Sequence, residues 1–190
     1  MDMLSRIVVG YHGCEEEFAR DLLLENLKIP QWKPSRNSWD WPGHGIYFWE
    51  YSAARALRWA RERYASKGKK PAVIGALIHI GRCFDLLDES LMDFLVATYR
   101  GLENTFAEEG RPLPANTGRD WKKRERDCLV INNCLAASEK NGLVFDTVRG
   151  AFLEGEPAYP GAGFSRESHL QIAVRTTACI LGVFRPNMEY

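Results

Sequence analysis

The apolar run of residues 6–11 (Arg-Ile-Val-Val-Gly-Tyr) is continuous, which predicts a short buried strand ending at Gly13. Residues 15–27 change period. Phe18, Leu22, Leu23 and Leu27 form one apolar stripe and Glu15, Glu16 and Glu17 crowd the first turn, so a helix is expected, closed by Pro30. Residues 30–45 carry three prolines, two glycines and Trp32, Trp39 and Trp41, a loop so aromatic that it should pack down as an ordered wall. A strand at 46–49 and a helix from a Ser52 cap to about Ser66, closed by Gly68, follow. Residues 72–80 (Ala-Val-Ile-Gly-Ala-Leu-Ile-His-Ile) form the longest apolar run and predict a strand in the centre of a sheet. Helices are expected over 88–100 and about 120–138, a strand over 143–148, a long Gly- and Pro-containing loop over 150–164, and a closing hairpin of strands 168–174 and 179–184.

This order predicts a mixed α+β domain. The 190 residues suit a single domain, 1–190, with a helical insertion at about 85–140. Lys plus Arg equals Asp plus Glu, 25 each, which argues against a wholly basic binding surface. Five cysteines are scattered without a C-x-x-C pair, so a disulfide framework or a metal site is not expected. With neither a secretory leader nor a membrane-length apolar run, a cytoplasmic protein without membrane contact is expected. There is no Gly-rich phosphate loop. The cluster Arg119–Arg126 holds five basic residues and a Trp. It reads as the solvated start of a helix or as a contact for a nucleic-acid acceptor.

Three segments carry candidate chemistry. Tyr11-His12-Gly13 ends the first strand. Gly43-His44-Gly45-Ile46-Tyr47-Phe48 places two glycines beside a strand, where a backbone can turn sharply or approach a ligand. In Glu167-Ser168-His169-Leu170-Gln171-Ile172-Ala173-Val174, strand alternation puts Glu167, His169 and Gln171 on one face, either toward solvent or along a cleft.

In this order the segments resemble the ADP-ribosyltransferase superfamily, in its diphtheria-toxin-like and poly-ADP-ribose-polymerase-like branch, over about residues 7–60 and 143–185. The resemblance implies a split mixed or antiparallel β-sheet core with flanking helices, and NAD as substrate. It implies that His12 meets a ribose hydroxyl, that the Gly13 backbone holds the nicotinamide carboxamide, and that Tyr47 stacks on the nicotinamide ring, with Tyr11 and Gly45 in the same pocket. A second stacking aromatic from the following helix would be Trp59, one residue beyond the family spacing; Arg58 fills that spacing without a gap.

The chain departs from the family at its third motif residue, where Gln171 stands at the position most often held by Glu. Loss of nicotinamide builds positive charge on the ribose. An amide retains a hydrogen bond to a ribose hydroxyl but supplies no negative charge, a loss on the order of a hundredfold in rate. Three outcomes follow: the acceptor is already a good nucleophile or is deprotonated by another group, Glu167 or His169 serves as its base, or the domain binds NAD and reacts poorly. Tyr159, Phe164, Arg166 and Glu154 lie on the loop implied to meet the target. The expectation is a toxin- or defence-effector-like mono-ADP-ribosyltransferase modifying a protein or nucleic acid, with an antitoxin or inhibitor protein as partner. An NAD glycohydrolase and a non-catalytic NAD- or ADP-ribose-binding module are the alternatives.

Overall fold

The computed structural model describes residues 6–118 and 122–188. It is a mixed α+β fold: a seven-stranded sheet and a two-stranded ribbon with four α-helices. Strand β1 (Ile7–Glu15) leads into α1 (Glu16–Leu23), β2 (Ile46–Glu50) into α2 (Ala53–Tyr64), and β3 (Pro71–His79) into β4 (Cys83–Asp85). Helix α3 (Met92–Glu108), the ribbon β5 (Asn116–Thr117) and β6 (Lys123–Arg124), and α4 (Glu125–Lys140) form the insertion. Strands β7 (Thr147–Phe152), β8 (His169–Val174) and β9 (Ile180–Phe184) complete the chain. The sheet order is β4-β7-β8-β2-β1-β3-β9, antiparallel except for the β4–β7 pair.

The junction in the middle of the sheet positions the site. β1 pairs with β3 over nine residues, from Ile7↔His79 to Glu15↔Pro71, whereas β1 and β2 pair only at Gly10↔Glu50 and Tyr11↔Trp49. The sheet therefore divides beyond Tyr11 into a β1-β3-β9 half and a β2-β8-β7-β4 half. One face is a continuous core of Val8, Phe48, Ile74, Ile78, Ile172 and Val174 under α1 and Trp32. The other face is covered in two parts. Trp49 and Val73 pack with Ala56 of α2, while Phe84, Val148 and Ala173 pack with Ile131, Cys134 and Leu135 of α4.

Several expectations change. β1 runs through His12 and Gly13 to Glu15 because β3 pairs with its whole length. Helix α1 stops at Leu23, beyond which Glu25 adopts φ +59°. β3 lies next to an edge, and β2 takes the middle. The strand expected at 143–148 starts at Thr147, and β8 and β9 form no hairpin: β2, β1 and β3 lie between them. Their apolar patterns suit any two buried strands, and partner choice is set by tertiary packing. All five cysteines are free. Among the described residues no helix is long and apolar enough to cross a membrane, and no cluster of His, Cys, Asp and Glu could hold a metal ion. Arg119, Asp120 and Trp121 of the basic cluster lie outside the described residues.

Candidate functional site: a cleft at the division of the sheet

A cleft of about 830 Å³ opens where the two halves of the sheet part, within the usual range of small-molecule sites. β1 contributes His12 and Gly13, β2 Tyr47 and Trp49, α2 Arg55 and Trp59, β8 Gln171, and the 30–45 loop Trp32, Trp39, Trp41 and Gly45.

His12 sits at the parting. Its Nδ1 lies 2.7 Å from the Tyr47 carbonyl, joining the two halves where the backbone ladder has stopped. A carbonyl only accepts, so Nδ1 carries the hydrogen and Nε2 keeps its lone pair. Phe18, Trp32 and Phe48 surround the ring at centroid distances of 6.2, 4.9 and 5.8 Å. Burial lowers its pKa to about 4 against the upward pull of the Tyr47 hydrogen bond. His12 is thus a neutral acceptor at neutral pH.

The residue after it is fixed by packing. A Cβ on Gly13 would stand 2.4 Å from the Ala56 carbonyl oxygen and 3.1 Å from a ring carbon of Trp59. Only glycine lets α2 lie this close to β1, and that approach carries Trp59 into the cleft. Trp59 packs on Trp49 at 5.8 Å. Arg58 points elsewhere, pairing with Glu167 at 3.0 Å. Of the two candidates from this helix, Trp59 is the one that lines the cleft.

Tyr47 is anchored at both ends. Its backbone carbonyl receives His12, and its hydroxyl donates to the Gly43 carbonyl. Burial, then the Asp40 carboxylate, push its pKa well up. Gly45 is tight: a Cβ there would approach the Ala173 Cβ at 2.9 Å. α4 braces this loop, with Asn132 Oδ1 accepting from the His44 N–H at 3.0 Å. The helical insertion thereby acquires a role, buttressing the wall that carries Tyr47.

On β8 the polar face meets protein. Gln171 pairs across the strands with Trp49 and is 7% exposed. Its Nε2 lies 3.2 Å from His169 Nε2, while its Oε1 is buried and has no hydrogen-bond partner. Trp49 Nε1 and Arg55 Nε, both on cleft-lining side chains, are also buried without partners. Such orphaned groups are rare in folded proteins, and here a donor and an acceptor lie on neighbouring strands beneath one opening. His169 and Glu167 do not line the main cleft; they border a smaller hollow with Arg55, Arg58 and Arg166. Both His169 ring nitrogens are engaged, Nδ1 with the Glu167 carbonyl at 2.7 Å, and Glu167 is held by Arg58. Neither is placed as a general base in the cleft. Tyr11 also stays outside it, packing edge-on against Phe184 at 6.3 Å.

Several lining groups are not marked by the sequence, Trp49, Arg55, Lys33 and Arg63 among them, and Glu154 is placed by it only on the target loop. Glu154 is buried in the cleft wall, paired with Arg55 and, at 2.8 Å, with Lys122. Burial would raise its pKa, but hydrogen bonds from Lys122 and Arg55 outweigh it and the net shift is downward, keeping the carboxylate ionised. The two-residue strand period relates Trp49 to Tyr47, and the helical i,i+4 spacing relates Arg55 to Trp59. No local pattern announces Glu154 with Lys122. Three of the described basic residues of the cluster have partners within the protein: Lys122 holds Glu154, Arg124 pairs with Asp127 and lies over the Trp41 ring, and Arg126 donates to the Pro114 carbonyl.

No family model, no curated protein and no solved structure matches this chain.

Proposed function

We propose that the protein is an NAD-dependent mono-ADP-ribosyltransferase, toxin- or defence-effector-like, that transfers ADP-ribose to a macromolecular acceptor. The observation that carries the reading is the orphaned Gln171 oxygen, a buried acceptor in the same cleft as the bare Nε2 of His12 and the ring of Tyr47. A ribose offers hydroxyls to two such acceptors, and the aromatic walls Tyr47, Trp49 and Trp59 suit a flat nicotinamide. Lys33 and Arg63 line the same cleft and would supply cations for a pyrophosphate, whereas Arg55 and Lys122 are held by Glu154.

In the proposed reaction the bond between ribose C1′ and the nicotinamide nitrogen breaks. The electron pair stays with nicotinamide and cancels its pyridinium charge. The ribose becomes oxocarbenium-like; the acceptor attacks C1′ and its proton passes to bulk solvent at the cleft mouth. Gln171 Oε1, accepting from a ribose hydroxyl, would direct the negative end of its amide dipole at the developing charge. Trp32, Trp39 and Trp41 of the 30–45 loop line the cleft; with substrate bound they would limit water and so favour transfer over hydrolysis. The acceptor, protein or nucleic acid, would approach from the side of the 153–168 loop. A cell making such an enzyme in its cytoplasm would require an inhibitor protein.

The test is to incubate the protein with NAD labelled in the adenosine half and a cell extract. Transfer predicts label on a macromolecule with stoichiometric nicotinamide release, both lost in His12→Ala and Tyr47→Ala. Label only in free ADP-ribose would make the protein a glycohydrolase. Calorimetric binding without nicotinamide release would make it a binding module. Neither binding nor release would overturn the reading.

A further inference from the structure

The Gln171 amide can be held in only one way. The Glu167 carbonyl accepts from His169 Nδ1 at 2.7 Å, so in the neutral ring Nε2 is a bare lone pair. Gln171 presents its amide nitrogen to that lone pair at 3.2 Å. The opposite rotamer would set two acceptors against each other and turn the only donor of the amide toward the cleft. His169 has no freedom to adapt. Its side chain is 3% exposed and stacks on Trp41 and Phe152, each at 5.9 Å and 29°.

We infer that His169 is a positioning residue that fixes the Gln171 oxygen toward the cleft, and that glutamine at 171 is required by the His169 lone pair rather than being a weakened glutamate. This rests on Gln171 Oε1 being the group that accepts from the ribose hydroxyl in the proposed reaction. A carboxylate at position 171 would confront Nε2 with oxygen lone pairs only. The conflict is relieved when Nε2 takes a proton, giving an imidazolium–carboxylate pair. The charge introduced by Gln171→Glu is then spent on His169 instead of on the ribose. The simple expectation that restoring glutamate raises the rate is therefore reversed at any pH where the pair forms.

The groups facing His169 set the competition. Arg55 and Arg58 of α2 oppose its protonation, Glu154 at 3.9 Å favours it, and the Glu167 carbonyl holds Nδ1. Arg124 lies beyond Trp41, 4.6 Å from the centre of that ring. Burial is the largest influence and keeps the native ring neutral.

The experiment needs no NAD, so its outcome is independent of whether the protein turns over that nucleotide. Protein labelled with nitrogen-15 at histidine is titrated while long-range proton–nitrogen spectra report the tautomer and charge of each ring; the His169 signals are those missing in His169→Asn. The expected wild-type result is an Nδ1–H tautomer at neutral pH. In Gln171→Glu the His169 midpoint should rise by about 1–3 pH units. An Nε2–H tautomer in the wild type, or an unchanged midpoint in Gln171→Glu, overturns the inference. The wild-type tautomer decides the matter even if Gln171→Glu does not fold. With NAD, Gln171→Glu should gain activity over wild type only above the new midpoint, a pH profile that a merely structural role for His169 would not produce.

Discussion

His12 and Tyr47 are joined across the opening of the divided sheet by one hydrogen bond of 2.7 Å, from the imidazole Nδ1 to the Tyr47 carbonyl. The bond stands where backbone pairing between β1 and β2 has ended. It ties the two walls of the cleft together and leaves Nε2 with no hydrogen to donate. One contact thereby fixes the width of the opening and the polarity of the group at its edge.

The burial of His12, which outweighs the upward pull of that hydrogen bond on its pKa, predicts a pH dependence of stability. His12 has a folded pKa of about 4 against 6.5 unfolded. Between these values the unfolded chain binds a proton that the folded protein does not, so stability falls as pH drops from about 6.5 toward about 4. From pH 7 to pH 5 the loss is about 2 kcal/mol. His12→Gln keeps a donor for the Tyr47 carbonyl without titrating in this range. Urea midpoints at the two pH values should converge in that variant, and an unchanged difference would remove His12 as the cause.

Gly13→Ala should act on both stability and the site. The new methyl would meet the Ala56 carbonyl at 2.4 Å, so α2 must move away from β1. A loss of about 1–3 kcal/mol is expected in chemical denaturation. NAD affinity, measured by calorimetry at a temperature where the variant is folded, should fall at the same time because Trp59 moves with the helix.

Trp59→Ala and Arg58→Ala separate the two candidates on α2. Trp59 lines the cleft and Arg58 forms a half-exposed pair with Glu167. Trp59→Ala should weaken NAD binding at least tenfold. Arg58→Ala should leave nicotinamide release within twofold and cost about 0–1 kcal/mol of stability. The reverse order of effects would exchange their assignments.

Glu154→Gln should be strongly destabilising, by about 3–5 kcal/mol, because Arg55 loses the partner of a buried ion pair. The Glu154 carboxylate is held below its ordinary pKa by Lys122 and Arg55 despite the opposing effect of burial. Its contribution is complete above about pH 4.5 and is lost as pH falls through the lowered folded value. Thermal melts of wild type and variant should therefore approach each other in acid.

Asn132→Ala tests the insertion. It removes the acceptor for the His44 amide and should cost about 1–3 kcal/mol. A rise in KM for NAD with little change in kcat is expected if α4 acts by bracing the Gly43–Gly45 turn that carries Tyr47. Equal losses in both would point to a direct role in the chemistry.

Local periodicity was enough to locate β2, α2 and β8, because the apolar faces of Phe48, Ala60, Ile172 and Val174 repeat at strand or helix spacing. It also set Gln171 and His169 on one face of β8, and related Trp49 to Tyr47 by alternation. Other features depended on partners distant in the chain. The 143–148 segment is apolar enough for a strand, yet pairing begins only at Thr147, where β8 offers Val174. β8 and β9 are adjacent in sequence and apart in space because each had a better neighbour, β2 and β7 for one and β3 for the other.

The sequence by itself determined the α+β class, the short strands and helices, and which side chains share a face, since these follow from periods of two and 3.6 residues and from Gly and Pro punctuation. Only the tertiary structure decided that the sheet parts between β1 and β2, that Arg58 turns away while Trp59 enters, and that Lys122 reaches Glu154. It also decided that His169 is consumed in orienting Gln171. Each of these outcomes depends on which surfaces win the competition to be buried. That competition is settled by the packing of segments far apart in the chain, and local pattern does not encode it.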